Sequence, residues 1–174
     1  MTEPKPRTDA DDHANWDAVE QATELMQEGR FKEALYLLRD AAKQRPRNAY
    51  AYYFMGVALF ETGKIEESRD ALRAALRISP EYLGARVALA QTLRILGDLR
   101  GAIDQAEYVL RKHPDDADAL YAAGLAHAAR GDREAARRRL SALLSTNPEL
   151  EVAAEARAVL ANLDQGDEPA GEDE

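Results

Sequence analysis

Residues 46–80 read PRNAYAYYFMGVALFETGKIEESRDALRAALRISP, a segment bounded by Pro46 and Pro80 with Gly63 near its middle. Ahead of Gly63, Tyr52, Met55, Gly56 and Leu59 recur at helical spacing, which predicts a helix over about 49–61. Gly63 ends that helix, because glycine enters the left-handed region at a helix C-terminus with little penalty. Ile65, Leu72, Ala75 and Leu76 then predict a second amphipathic helix over about 65–78. Pro80 stops it, since its ring fixes φ and removes the N–H that another turn needs.

The punctuation recurs. Pro46, Pro80, Pro114 and Pro148 are 34 residues apart, and Gly29, Gly63, Gly97 and Gly131 each lie seventeen residues ahead of them. Ala22, Gly56, Ala90 and Gly124 keep the register, as do Ala34, Ser68, Ala102 and Ala136. Large apolar residues recur at Leu38, Leu72 and Leu140, with Ala106 as the exception. The small residues let the paired helices approach closely. A lone two-helix hairpin cannot bury both faces, so the units are expected to stack into a solenoid.

On these residues the chain resembles the tetratricopeptide repeat (TPR) family. The family pattern reads Tyr52, Met55-Gly56, Leu59, Gly63, Ser68, Leu72, Ala75 and Pro80 in the second repeat. In the fourth it reads Leu120, Ala123-Gly124, His127, Gly131, Ala136, Leu140, Leu143 and Pro148. The resemblance implies an all-α fold, a right-handed superhelix of helix-turn-helix repeats at 15–48, 49–82, 83–116 and 117–150, with a capping helix at 151–163. Arg86 stands where the family places an aromatic or Leu, and is expected to lay its stem on the core with its head in water. Ala18 and Gln21 weaken the first repeat, whose first helix is expected to pack loosely or to act as an N-terminal cap.

A chain of 174 residues is long enough for one domain or a short repeat array. Its net charge is −9, of which residues 1–14 carry −2 and residues 164–174 carry −6, leaving 15–163 almost neutral. Both ends are polar and hold nothing to bury, so they are expected to be disordered acidic tails. The charge argues against a general nucleic-acid binder, which needs concentrated basic surface to displace counterions from phosphate. There is no cysteine, which excludes disulfides, thiolate metal sites and cysteine nucleophiles. No window approaches the ~20 apolar residues of a membrane span. The opening MTEPKPRTDADDHA does not read as a signal peptide, so a soluble, cytoplasmic protein is expected.

No catalytic constellation is present. His13, His113 and His127 belong to different elements and form no H-x-x-x-H or H-E-x-x-H spacing. His127 falls on an inward helical position and reads as a satisfied core residue rather than a ligand. No G-x-S-x-G, P-loop or G-x-G-x-x-G occurs, and no nucleophile, base and oxyanion donor come together. The chain is expected to be no enzyme and to hold no cofactor or metal. Arg130, Arg133, Arg137, Arg138 and Arg139 read as a solvated convex face balanced by neighbouring acids.

The resemblance further implies that the first helix of each repeat lines a concave groove through its second, fifth, ninth, twelfth and thirteenth positions. From these the candidate protein-binding residues are Trp16, Val19, Met26, Tyr50, Tyr53, Val57, Phe60, Val87, Gln91, Arg94, Tyr121 and Leu125. The set is unusually apolar for positions meeting solvent, and such patches mark interaction sites. The expected function is therefore a non-catalytic scaffold or adaptor that holds an apolar or amphipathic peptide segment of a partner protein in its groove. A small secretion-type chaperone and a self-assembling scaffold are the alternatives, with the groove filled by the chain's own N-terminal segment or by a second copy. The family's carboxylate clamp of Lys, Asn and Arg is not matched. Its positions hold Val19, Thr23, Phe54, Gly84 and Ala88, or one repeat on Tyr53, Val57, Ala88, Asp118 and Ala122.

Overall fold

The computed structural model describes residues 9–165, and these form ten helices and no strand. In chain order they are α1 (Asp9–Asp17), α2 (Glu20–Gln27), α3 (Phe31–Gln44), α4 (Ala49–Glu61) and α5 (Ile65–Ile78). They continue as α6 (Leu83–Ile95), α7 (Leu99–Lys112), α8 (Ala117–Arg130), α9 (Arg133–Ser145) and α10 (Leu150–Gln165). α4 and α5 occupy the spans that apolar spacing predicts, because glycine and proline mark their ends.

The periodic glycines serve two different physical needs. Gly29, Gly63, Gly97 and Gly131 have φ of 74°, 74°, 80° and 86°. After Gly63 the Lys64 N–H reaches back to the Leu59 carbonyl at 2.9 Å, while Gly63 N–H donates to Phe60. Arg30, Asp98 and Asp132 repeat the long bond to Leu25, Leu93 and His127. This wrap satisfies the carbonyls a helix end otherwise leaves orphaned, and it requires a left-handed residue. Nothing lies within 4 Å of a Cβ built at these four positions, so backbone conformation demands them.

Gly56 and Gly124 are demanded by crowding instead. A Cβ at Gly56 would lie 2.6 Å from Leu72 Cγ, and one at Gly124 would lie 2.5 Å from Leu140 Cδ2. Both leucines are completely buried. Ser68 adds a polar tie across the same hairpin, its Oγ donating to the Gly56 carbonyl at 2.7 Å. In the third repeat Ala90 replaces the glycine and Ala106 replaces the leucine, and both are buried.

The chain divides into two compact units inside α6, one up to Ala88 and the other from Leu89. In the first, α2 packs on α3, α3 on α4 and α4 on α5, while α1 lies against both α2 and α4. Its core contains Val19, Ala22, Leu35, Leu38, Ala58 and Leu59. In the second, α7 packs on α8 and α8 on α9, with α10 covering α8 and α9.

The first repeat departs from expectation. Residues 9–14 fall in the segment read as a tail, yet they belong to α1, and the chain breaks at Ala18–Val19 before α2 begins. Asn48 fastens α1. Its Oδ1 accepts from the N–H groups of Tyr50 and Ala51 at 3.0 and 3.2 Å, capping α4, while its Nδ2 donates to the Asn15 carbonyl at 2.7 Å. Asn48 is fully buried, so each of these bonds satisfies a group that water cannot reach. The expected tail residues 1–8 and 166–174 lie outside the described residues.

His127 is buried, with Nδ1 3.1 Å from Asp132 Oδ2 and Nε2 3.7 Å from Glu107 Oε1. Glu107 also receives a bidentate pair of bonds from Arg139 at 2.8 and 2.7 Å. Arg130 pairs with Asp132, and Arg137 with Glu134 and Asp164. Arg86 is half-buried, and its guanidinium donates to the Pro80 carbonyl at 3.1 and 2.7 Å rather than standing in water alone.

Filling the Gly56 position is expected to force Leu72 off its seat, lowering stability by about 1–3 kcal/mol in urea unfolding of Gly56→Ala. Combining it with Leu72→Ala, which reproduces the Ala90/Ala106 pairing, should cost less than the sum of the single changes. Additive costs would show that the two positions do not share that space.

Candidate protein-binding site

In the first unit, five aromatic rings meet. Trp16 from α1 stands edge-on to Tyr50 and Phe54 of α4, with centroids 5.7 and 5.9 Å away. Tyr53 lies 4.9 Å from Phe54 and 4.8 Å from Tyr82, and Tyr82 is also 5.7 Å from Tyr50. Edge-to-face and tilted arrangements set the positive ring edge against the negative face, so the rings hold one another in place. Trp16 is nevertheless 41 % exposed, and the other four are half-buried. Gly84 flanks them, and a Cβ there would meet Tyr82 and Tyr53 at ordinary contact distance. Burial, with Tyr53 and Tyr50 close by, raises the pKa of the Tyr82 hydroxyl above the usual tyrosine value.

The second unit presents a more polar set. Gln91 and Arg94 are half-buried on α6, and Ile95 beside them is half-exposed. Arg94 Nε is buried without a hydrogen-bond partner among the described residues. Tyr121 on α8 donates its hydroxyl to Glu155 of α10. Its pKa is pushed up to about 12, chiefly by burial and then by that carboxylate, with Arg94 acting in the opposite direction. Burial also raises the Asp118 carboxyl, helped by Asp116 and Glu149. No group of three or more His, Asp or Glu suited to a metal ion occurs among the described residues.

The candidate residues therefore separate by burial. Trp16, Met26, Tyr50, Tyr53, Val57 and Phe60 reach the surface of the first unit in whole or part, and Gln91, Arg94 and Tyr121 that of the second. Val19, Val87 and Leu125 do not: they are 1, 9 and 8 % exposed and belong to the core of the unbound chain. Side-chain length explains part of this. Val19, Tyr53, Val87 and Tyr121 share one repeat position, but a valine ends inside the helix packing where a tyrosine extends past it. Phe54 and Tyr82 complete the ring cluster and were not among the candidates. The run Tyr50-Ala51-Tyr52-Tyr53-Phe54 carried a signal for the first, whereas Tyr82 lies in the turn before α6, outside any groove position.

Paired helices in a 34-residue register, closed by left-handed glycines, define a helix-turn-helix repeat protein. The family model described as Tetratricopeptide repeat matches residues 19–82 and 87–149, and the chain belongs to that family. Subunit 7 of the anaphase-promoting complex of Arabidopsis thaliana is 35 % identical over 89 residues, which is 51 % of this chain but 16 % of that much longer protein. MamA (41-end) from Desulfovibrio magneticus RS-1 superimposes with a TM-score of 0.71 at 20 % identity, covering 89 % of this chain and 97 % of its own. The second TPR domain of human RPAP3, solved in complex with the HSP70 peptide SGPTIEEVD, has a TM-score of 0.61 at 19 % identity, covering 66 % and 97 %. These two structures establish the likeness of fold. Proteins of this fold are interaction scaffolds.

Both raised tyrosines make the neutral phenol the form that the fold favours. Their contribution to stability is complete below about pH 10, the unfolded tyrosine value, and is lost as pH rises through the folded values. Ultraviolet titration should show Tyr82 and Tyr121 ionising above the usual tyrosine range. Tyr82→Phe and Tyr121→Phe should each remove one late proton. A single wave near pH 10 would contradict the burial of both hydroxyls.

Proposed function

We propose that the chain is a non-catalytic adaptor of the cytoplasm that binds an apolar or amphipathic peptide segment of a partner protein on the first-helix faces of its repeats. The observation that carries this reading is the ring cluster of the first unit, where Trp16 remains 41 % exposed although the rings of Tyr50 and Phe54 stand against it. A tyrosine-rich apolar surface suits a peptide because each ring buries a large area at small entropic cost and keeps a hydroxyl for the backbone. Rings that already hold one another need little further ordering when a ligand arrives, which leaves more of the contact energy for affinity. The second TPR domain of human RPAP3, solved in complex with the HSP70 peptide, supports the reading through shared fold.

Capture from native lysate by the unmodified chain, compared with a variant carrying Tyr50→Ala, Tyr53→Ala, Phe60→Ala and Tyr121→Ala, tests it. Circular dichroism must first show that both are helical. A partner held by the first and lost from the second is the expected result. Retention by both would move the interface to the second helices or the chain ends and overturn the proposal.

A further inference from the structure

Charge in the first unit is sorted by helix. α1, α2 and α4, which present Trp16, Tyr50 and Tyr53, hold seven acidic residues and no Lys or Arg. α3 and α5, the second helices of the same hairpins, hold six Lys and Arg among five acids. The sorting therefore separates acidic, aromatic first helices from balanced second ones, although Arg45, from the turn before α4, reaches the Asn15 side chain of α1 at 3.4 Å. Asp12 precedes Trp16 by one helical turn on α1, Glu20 opens α2 beyond the break, and Glu61 succeeds Phe60 at the end of α4.

We propose that this face takes a cationic amphipathic segment of a partner protein. Its apolar side chains seat among Trp16, Tyr53 and Tyr82, and its Lys or Arg side chains lie toward the acids of α1 and α2. This rests on the peptide-binding reading of the ring cluster and adds the sign of the ligand's charge. Complementary charge speeds encounter and suppresses wrong partners, and a cation over a Trp or Tyr face gains further attraction from the ring quadrupole. An acidic segment would meet like charges and no cation on α1, α2 or α4.

Trp16 is the chain's single tryptophan, so its emission reports on the ring cluster without a label. The full chain would be titrated with an amphipathic peptide of Leu and Lys on the order of 14 residues long, near the length at which isolated helices become marginal. The control is the same pattern with Glu replacing every Lys. The Lys peptide is expected to shift Trp16 emission and to bind roughly tenfold more tightly than the Glu peptide, the sum of a few exposed charge contacts. Asp12→Asn with Glu20→Gln should narrow that gap. Tyr53→Ala with Tyr82→Ala, which leaves every charge in place, should abolish binding while circular dichroism stays helical.

Equal affinity for the two peptides overturns the cationic assignment and leaves peptide binding standing. Binding that survives loss of Tyr53 and Tyr82 makes the attraction a general charge effect and likewise overturns it. Silence of Trp16 toward both peptides also overturns it, and the underlying reading falls as well only if the lysate capture is unaffected by the ring substitutions. A dimer of the free chain in light scattering that the Lys peptide does not dissociate, or a tenfold gain in affinity on removing residues 1–8, would identify a second copy or the chain's own N-terminal segment as the occupant, against the proposal.

Discussion

A leucine side chain sitting where a methyl group is absent sets how closely the two helices of a hairpin approach. Leu72 occupies that space at Gly56 and Leu140 at Gly124, and both are entirely buried. Once α5 is seated against α4 in this way, the orientation of α4 follows. Ala51, Gly56, Ala58 and Leu59 turn inward, and Tyr50, Tyr53, Phe54, Val57 and Phe60 are carried to faces that stay partly open. The aromatic surface is thus a by-product of where α4 spends its small residues. Mostly small side chains, with Leu59 the large exception, fill the inward stripe because the approach is close, so the other large apolar ones lie on the remaining faces.

The two units use this geometry differently. In the first, the rings engage one another, and the Tyr82 hydroxyl is buried with Tyr53 and Tyr50 close by. In the second, Tyr121 is tied by its hydroxyl to Glu155, and Arg94 and Gln91 of α6 and Asp118 of α8 add polar groups. The polar ties extend to the interior, where His127 stands at the position held by Leu59 and Leu93 in the preceding repeats. Asp132, hydrogen-bonded to His127 and paired with Arg130, has its carboxyl held below the usual range, first by the histidine and then by the arginine. A polar residue survives in that core position because its neighbours supply partners for it.

Much of the fold was legible in the sequence because its cues were local and repeated. Glycine and proline marked the limits of α4 and α5, and four copies of one register reinforced each other. What was not legible depended on contacts between residues far apart. Near the break after Asp17, the buried side chain of Asn48 reaches back to the Asn15 carbonyl of α1. An asparagine ahead of a helical run announces a cap, but not a second partner 33 residues earlier. The candidate site was read partly for the same reason. Register marks candidate positions, yet burial at each also depends on side-chain reach and on the local packing, so Val19 and Val87 sink where Tyr53 does not, and Leu125 is buried where the shorter Val57 at the same repeat position is not. Tyr82 was missed because it enters the cluster from a turn, where periodicity carries no information.

The wrap at each glycine has a consequence for how such a chain changes over generations. Around Gly63 the bonds that finish α4 run from Thr62, Gly63 and Lys64 to Ala58, Phe60 and Leu59, so the whole motif is complete within seven consecutive residues. The same holds around Gly29, Gly97 and Gly131, where the matching bonds also span only a few residues. A duplication or deletion in whole 34-residue blocks therefore carries each turn intact and leaves no unpaired donor at the seam. Repeat number becomes something that a single recombination event can alter, while the aromatic face of any one hairpin evolves by point substitution.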